Sequence, residues 1–158
     1  MSDVRRTLLF LQKEGEVLLA MKKRGFGVGR WNGVGGKLEE GETLEQATVR
    51  ECQEEIGVTP LTFHKVGELD FYGGSTEEAW HMFVHAYICT EWEGDPVETE
   101  EMAPKWYKVE EIPYTDMWED DLHWLPKVLS GKCVRATFTF DENDKITEST
   151  VEEVSPYV

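Results

Sequence analysis

The sequence predicts an α+β protein in which a mixed β-sheet is packed between helices. Three observations support this fold class. Most apolar segments have the composition and spacing of strands, only two segments have the features of helices, and the two types do not alternate regularly along the chain. The 158 residues are enough for one domain with a hydrophobic core, and we expect residues 1–158 to form a single domain.

The predicted elements follow from apolar patterning and from glycine-rich or polar breaks between them. They are strands at 4–12 and 17–21 around a turn at 13–16, a helix at 43–56, strands at 63–72 and 79–90 around a turn at 73–78, a short strand within 105–113, a helix at 120–131, and strands at 133–140 and 145–153 around a turn at 141–144. The first helix has clear end signals, because Thr43 and Gln46 have the spacing of a capping box and Gly57 suits a C-cap. Pro126 limits where the second helix can begin.

The composition excludes several kinds of partner. A net charge of −16 argues against a nucleic-acid polymer or an anionic membrane. It is compatible with a small phosphorylated ligand, because a bound divalent cation reverses the local field. Cys52, Cys89 and Cys133 are far apart and form no CxxC pair, which predicts reduced thiols. The apolar run at 8–11 is too short for a signal or a membrane span, so we expect a cytoplasmic protein.

Residues 21–44 contain seven glycines and also hold Lys22, Phe26, Trp31 and Asn32. Glycine permits backbone conformations and close approaches that a Cβ would prevent. We therefore expect a ligand or a metal to lie close to this backbone. A P-loop is excluded because Leu38 stands where that motif requires serine or threonine, and no GxGxxG frame fits the segment.

Acidic residues follow on the first predicted helix. Glu51, Glu54 and Glu55 are spaced i, i+3, i+4 and therefore share one face, while the apolar residues of the helix lie on another. Three carboxylates on one face repel one another, and a hard cation such as Mg²⁺ or Mn²⁺ would remove that penalty. Taken alone, however, the spacing favours a solvated acidic face, which is common.

The segment from Gly36 to Val58 resembles the Nudix box, a motif of glycine, arginine and glutamate residues at fixed spacing. The residues that fill its fixed positions are Gly36, Glu42, Arg50, Glu51, Glu54, Glu55, Gly57 and Val58, with Cys52 in an apolar position. The resemblance implies the Nudix fold, with helices on both faces of a mixed sheet. It also implies the activity of that family, which cleaves a nucleoside diphosphate linked to a further group.

Carried over residue by residue, the resemblance assigns a catalytic centre. The implied metal ligands are Glu51, Glu54, Glu55, the carbonyl of Gly36 and, as an additional ligand or helper of a base, Glu101. Arg50 is implied to orient a glutamate, and Glu42 to brace the loop or hold a metal indirectly. Oxygen ligands imply Mg²⁺ as the cofactor, with Mn²⁺ as an alternative.

Outside the box, the chain is similar to the animal-type MutT homologues, which hydrolyse oxidised purine nucleoside triphosphates. The similarity is carried by "MKKRGFGVGRWNGVGGK", "HKVGEL", "GDPVETEEMAPKWY" and "DMWEDDLHWLP", and it is weakest at 73–85 and after 132. The positions that align with the base pocket of that family are Thr7, Lys22, Phe26, Asn32, Phe71, Met102, Trp118, Asp120 and Asp121. Segment 73–85 is longer and more polar than in the family, so base preference is the property that the resemblance defines least.

The residue types at these positions suit a purine. Trp118 offers a stacking surface, Asn32 offers a donor and an acceptor, and the adjacent Asp120 and Asp121 are expected to share a proton, because close carboxylates raise one pKa. Several of the assigned residues also have a structural interpretation: Trp118 as core, the two aspartates as a helix start, Lys22 as a solvated side chain and Glu101 as a surface acid.

The implied function is Mg²⁺-dependent hydrolysis of 8-oxo-dGTP and 2-hydroxy-dATP to the monophosphate and pyrophosphate, by a monomer that removes oxidised nucleotides from the pool. Three alternatives stay open. One is a Nudix hydrolase for another nucleotide, for ADP-ribose or for a dinucleoside polyphosphate. Another is a binding module that lost hydrolysis, although such a module should have lost a metal-binding glutamate. The third is an acidic interaction protein, which would leave the aromatic residues of the glycine-rich loop unexplained.

Overall fold

The computed structural model describes residues 2–74 and 79–158, with the backbone alone for residues 2 and 3. The described residues form eight strands and two α-helices. In chain order these are β1 (Ser2–Lys13), β2 (Glu16–Lys22), β3 (Trp31–Asn32), α1 (Leu44–Ile56), β4 (Thr59–Gly73), β5 (Trp80–Glu93), β6 (Met102–Lys108), α2 (Asp121–Leu129), β7 (Cys133–Phe140) and β8 (Ile146–Val154). The strands form one sheet in the order β3-β2-β1-β5-β4-β7-β8, with β6 paired to β2.

Strand β1 connects the two halves of this sheet. It forms the predicted hairpin with β2 only at its end, where Gln12 faces Val17. Along the rest of its length it runs parallel to β5, from Ser2 to Leu11. The sheet is therefore mixed, and β1 places its first half beside residues that are about 80 positions away in the sequence.

One helix covers each face of the sheet. Because successive strand residues point to opposite faces, neighbours in β1 enter different cores. Phe10 packs edge-on against Trp124 of α2, with ring centroids 6.0 Å apart, whereas Leu9 packs in a second cluster with Cys52 and Ile56 of α1. This arrangement confirms the predicted fold class of a mixed sheet between helices.

Helix α1 begins and ends where the sequence predicts. Thr43 Oγ1 accepts a hydrogen bond from the Gln46 amide at 3.1 Å, and Gln46 Oε1 accepts one from the Thr43 amide at 2.9 Å. At the other end, Gly57 adopts φ 71° and donates its amide to the Gln53 carbonyl. Both caps fix the register of the helix and hence the direction in which its glutamates project.

Several boundaries differ from the expectations. β3 was not predicted, because two residues carry no periodicity and this strand exists only through pairing with β2. β6 begins at Met102 and includes Pro104, which is tolerated because β6 is paired on one side only. Pro126 lies inside α2, five residues after its start at Asp121, so the proline does not set where this helix begins. The predicted turn at 73–78 includes residues 75–78, which lie outside the described residues.

Candidate active site

The glycine-rich loop, residues 23–43, is interrupted by β3, and its second part, between β3 and α1, runs alongside β1. The Thr7 amide donates to the Gly36 carbonyl at 2.9 Å. A Cβ at Gly35 would lie 1.9 Å from the Thr7 carbonyl oxygen, and a Cβ at Gly36 would lie 2.6 Å from the carboxyl carbon of Glu51. These two glycines therefore allow the loop backbone to fit between β1 and the carboxylates of α1.

Arg50 organises the carboxylates at this end of α1. Its Nε and Nη2 donate to both carboxylate oxygens of Glu42, at 2.6 and 3.0 Å, and this bidentate pair raises the pKa of Arg50. Its Nη1 donates to Glu51 at 2.8 Å and to Glu54 at 3.2 Å, while Nη2 also reaches the Lys37 carbonyl. The guanidinium thus offsets the repulsion expected on this helix face.

Glu55 has a different environment from its neighbours. Its side chain is buried, and Oε1 accepts the Gly35 amide at 2.7 Å. The Lys22 ammonium lies 3.9 Å from the other carboxylate oxygen. Burial raises the pKa of Glu55 to about 7. Glu54, by contrast, is 57% exposed, so the three glutamates share a face but differ widely in solvation.

No three His, Cys, Asp or Glu side chains within 2–74 and 79–158 converge closely enough to form a metal site by themselves. The donor chemistry still suits a hard cation. The Glu51 and Glu55 carboxylates flank the Gly35–Gly36 backbone, where a Cβ on Gly36 would meet both oxygens of Glu51 at 2.7 and 2.8 Å. Carboxylate and carbonyl oxygens are the ligands that Mg²⁺ and Mn²⁺ prefer, so these residues fit a divalent cation.

A pocket opens beside this group of glutamates. All nine predicted substrate-binding residues line it, and so do Glu55 and Gly35. The structure therefore joins the Nudix-like segment to the proposed base-binding residues in one continuous cavity. Glu101 does not line the pocket. Its carboxylate accepts from Arg24, with Nε at 3.0 Å, at a more exposed position.

Trp118 is half-buried at the pocket and is covered by the glycine-rich loop. The Phe26 ring stacks on it with a centroid distance of 5.1 Å and an interplanar angle of 25°. The Arg30 guanidinium carbon lies 3.9 Å from the Trp118 ring centroid. A Cβ at Gly27, which adopts φ 85°, would lie 3.4 Å from the indole nitrogen. Trp118 is thus a wall of the pocket.

Asp120 and Asp121 are buried at the start of α2, with 4% and 2% exposure. Asp120 Oδ2 accepts the Trp124 indole N–H at 2.8 Å, whereas Asp121 Oδ2 has no hydrogen-bond partner among the described residues. Burial raises the pKa of Asp120 to about 6. Burial, followed by the charge of Asp120, raises the pKa of Asp121 well above its usual range. Burial, more than the neighbouring charge invoked from the sequence, is the main cause.

The remaining predicted residues form the floor and one side of the pocket. Phe71 is buried and stacks on Phe138, with ring centroids 5.7 Å apart, and the buried Met102 pairs with Lys22 across β6 and β2. Asn32 Oδ1 accepts the Gly33 amide at 2.8 Å. This bond fixes the orientation of the Asn32 side-chain amide and leaves its NH₂ group available to a ligand.

Sequence reasoning missed several pocket residues. The structure adds Arg6, Arg30, Trp80, Met82, Phe140 and Asp144 to the lining. Trp80 and Met82 lie in segment 73–85, where the sequence departs from the MutT homologues that it resembles. This departure was a signal that the segment could differ in function, but it did not identify the two residues. Arg6 faces the pocket because β1 pairs with β5, a long-range contact that no local pattern reveals.

Comparisons with known proteins agree with this architecture. The model of the NUDIX domain matches residues 1–128. A Danio rerio protein named oxidized purine nucleoside triphosphate hydrolase is 46% identical over 149 residues, which cover 94% of each chain. The Mus musculus protein of the same name is 43% identical over 152 residues and 96% of each chain. The crystal structure of a MutT protein from Bacillus halodurans has a TM-score of 0.80 at 24% identity, covering 94% of this chain and 97% of that chain.

Two further findings concern the setting of the protein. The cysteines Cys52, Cys89 and Cys133 are buried and unpaired. Within the described part of the chain, no helix has the length and apolar character needed to cross a membrane.

Proposed function

The chain belongs to the Nudix family, and on that premise we propose that it hydrolyses oxidised purine nucleoside triphosphates, including 8-oxo-dGTP and 2-hydroxy-dATP, to the monophosphate and pyrophosphate. One observation carries this proposal: a single pocket joins Glu55 of the Nudix box to the buried pair Asp120 and Asp121. The Danio rerio and Mus musculus proteins, whose names state this activity, support the choice of substrate.

At the phosphate end, we assign cation binding to Glu51, Glu54, Glu55 and the Gly36 carbonyl. When bound there, Mg²⁺ or Mn²⁺ polarises phosphoryl oxygens and lowers the pKa of an attacking water. Arg50 keeps Glu51 and Glu54 oriented through its hydrogen bonds to both. The Gly35 amide holds Glu55, and Lys22 lies beside it as a positive charge for the phosphate chain.

At the base end, we assign stacking to Trp118 and hydrogen bonding to Asn32, Asp120 and Asp121. The raised pKa values of the two aspartates favour a pair that keeps a proton near neutral pH, so that it presents both a donor and an acceptor. An oxidised purine differs from the normal base in its donors and acceptors. A pair that can adjust its proton is therefore suited to more than one oxidised base.

The setting of the reaction is part of the proposal. The three unpaired cysteines favour a reducing compartment, and we infer the cytoplasm. We also propose that the protein acts as a monomer, with residues 1–158 as a single domain, on a free nucleotide.

Pyrophosphate release from a panel of nucleotides tests this function. The panel contains 8-oxo-dGTP, 2-hydroxy-dATP, dGTP, ADP-ribose and a dinucleoside polyphosphate, each assayed with Mg²⁺. We expect the two oxidised nucleotides to have the highest kcat/KM. If the protein hydrolysed ADP-ribose or the dinucleoside polyphosphate but neither oxidised purine, the substrate assignment would be wrong. The proposed Nudix hydrolysis of a diphosphate would still hold.

A further inference from the structure

Three cationic side chains line the pocket, and two of them have acidic partners. Lys22 lies 3.9 Å from Glu55, and Arg30 lies 3.7 Å from Asp144 while it also covers Trp118. The third cation, Arg6, has neither a hydrogen bond nor an ion pair from its guanidinium to any residue within 2–74 and 79–158. Among the described residues, Arg6 thus differs from the other two pocket cations in having no carboxylate within 4.0 Å, although the chain has a net charge of −16.

Arg6 is held in this position by the sheet. In β1 it lies opposite Val84 of β5, another pocket residue, and it forms an isolated bridge with Lys37 of the glycine-rich loop. Its Nε is fully buried and donates to no acceptor among the described residues. A buried donor without a partner is costly, which indicates that an acceptor is supplied from outside the protein.

The electrostatic surroundings indicate what kind of acceptor this is. Burial lowers the pKa of Arg6, and the carboxylates of Glu51 and Glu55 raise it, so both glutamates lie within electrostatic range of the guanidinium. Arg6 also precedes Thr7, whose amide donates to the Gly36 carbonyl, and it lines the pocket that joins Glu55 to the base end, so its guanidinium is near the glutamates within that pocket. In a bound nucleotide, the group between the scissile bond and the sugar is the phosphate attached to the sugar.

We propose that Arg6 binds this sugar-linked phosphate, in the substrate and in the monophosphate product. A guanidinium is permanently charged, and its planar fork matches two phosphate oxygens at once. The inference rests on the proposed function for the identity of the nucleotide. Arg6 is not among the residues that the family resemblance assigns to the site. The proposed phosphate contact is therefore a claim about this side chain alone.

The test compares nucleotides that share the phosphate but differ in the base. In Arg6→Met, KM for 8-oxo-dGTP and for dGTP should rise by the same factor, roughly tenfold to a hundredfold, because a hydrogen bond to a charged group is lost. Arg6→Lys, which keeps the charge and loses the fork, should give a smaller rise. Arg135→Met, a matched change at an exposed arginine of β7 outside the pocket, should leave both values unchanged.

Calorimetric titration with the monophosphate product gives a second readout. Arg6→Met should weaken binding of 8-oxo-dGMP by a similar factor and leave binding of 8-oxo-deoxyguanosine, which has no phosphate, unaltered. A change in the ratio of the two KM values would assign Arg6 to the base edge, and unchanged KM values would remove it from substrate binding; either result overturns the proposal. Absence of oxidised-purine hydrolysis in the wild type would refute the proposed function, while the effect of Arg6→Met on binding of dGMP would still test the phosphate contact.

Discussion

Carboxylates are concentrated at both ends of the pocket, but in opposite environments. At the phosphate end, Arg50 donates to three of them, and its hydrogen bonds lower the pKa of Glu42. At the base end, Asp121 has no cation and no hydrogen-bond partner for Oδ2 among the described residues, and burial raises its pKa. Arg50 thus keeps Glu42 ionised at one end, whereas burial favours the protonated form of Asp121 at the other. Glu55 is the exception at the phosphate end, because burial raises its pKa to about 7 and a bound cation would be needed to restore the charged form.

This difference implies a division of labour. Ionised carboxylates suit a cation that acts on the phosphates, which every nucleotide substrate has in common. Protonatable carboxyls suit the base, which distinguishes one substrate from another. Changes at the phosphate end should therefore affect turnover of all substrates, and changes at the base end should affect discrimination among them.

The largest effect is expected at the phosphate end. Glu54→Gln and Glu55→Gln should each lower kcat about a hundredfold or more for every nucleotide, because each removes a carboxylate that we assign to cation binding. Glu45→Gln removes an equal charge from the exposed first turn of the same helix and should be close to wild type. Steady-state kinetics with Mg²⁺ provide the measurement, and near-normal turnover in both active-site variants would refute the assignment.

Removal of the metal should have a comparable effect without any mutation. In excess EDTA, turnover should fall to background, since carboxylate and carbonyl oxygens need a hard cation to approach a polyphosphate. Added Mg²⁺ or Mn²⁺ should restore it, with no requirement for zinc. Full activity in excess EDTA would contradict the metal assignment.

A smaller effect, on stability, should reveal the unusual state of the base end. The raised pKa values of Asp120 and Asp121 mean that the folded protein holds protons that the unfolded chain releases above about pH 4. The stability that these protons provide is fully present below that pH and is lost as pH rises, through about 6 for Asp120 and at a higher pH for Asp121. Asp121→Asn removes part of this dependence.

Thermal unfolding between pH 4 and pH 8 measures the difference. The Tm of Asp121→Asn relative to wild type should increase with pH, by about 2–4 °C for each kcal/mol relieved in a protein of this size. If the Tm values of the two proteins changed in parallel with pH, burial would not raise the pKa values of Asp120 and Asp121.

The smallest predicted effect concerns Trp80 of the divergent segment. A Cβ at Gly73 would lie 2.3 Å from the Trp80 ring, so Gly73→Ala should displace the indole from the pocket wall. We expect a change of less than about tenfold in the kcat/KM ratio of 8-oxo-dGTP to 2-hydroxy-dATP, in the same direction as for Trp80→Leu. Both bases contact the pocket wall, so the ratio reports only the difference between two apolar contacts, which is smaller than the about 1–3 kcal/mol that a whole contact contributes. An unchanged ratio in both variants would remove Trp80 from base selection.

At the phosphate end, the placement of the glutamates was predictable from local sequence signals, while their role as cation ligands was implied only by the resemblance to the Nudix box and stays a prediction. Thr43, Gln46 and Gly57 fix the ends of α1, and helical periodicity then places the glutamates on one face. The burial of Glu55 could not be predicted, because it depends on the Gly35 backbone, which β1 holds in place. The spacing of residues within a helix shows which side chains share a face. It does not show which of those side chains other parts of the fold will bury.

The base end was predictable only through family resemblance. Its residues come from strands, loops and α2, and their proximity depends on strand order and register. Arg6 and Trp80 were missed because the parallel pairing of β1 with β5 brings them to the pocket, and parallel pairing has no short-range sequence signal. Base-end residues that the family resemblance does not assign can therefore be found only from the structure.

The most direct test of the division of labour is the ratio of kcat/KM for 8-oxo-dGTP to that for dGTP near pH 7, measured for wild type, Glu54→Gln and Asp120→Asn. Glu54→Gln should lower both values and leave their ratio within about threefold of wild type. Asp120→Asn should change the ratio by roughly tenfold to a hundredfold, because a buried polar edge of one base loses its partner. An equal loss for both nucleotides in Asp120→Asn, or a shifted ratio in Glu54→Gln, would contradict the account.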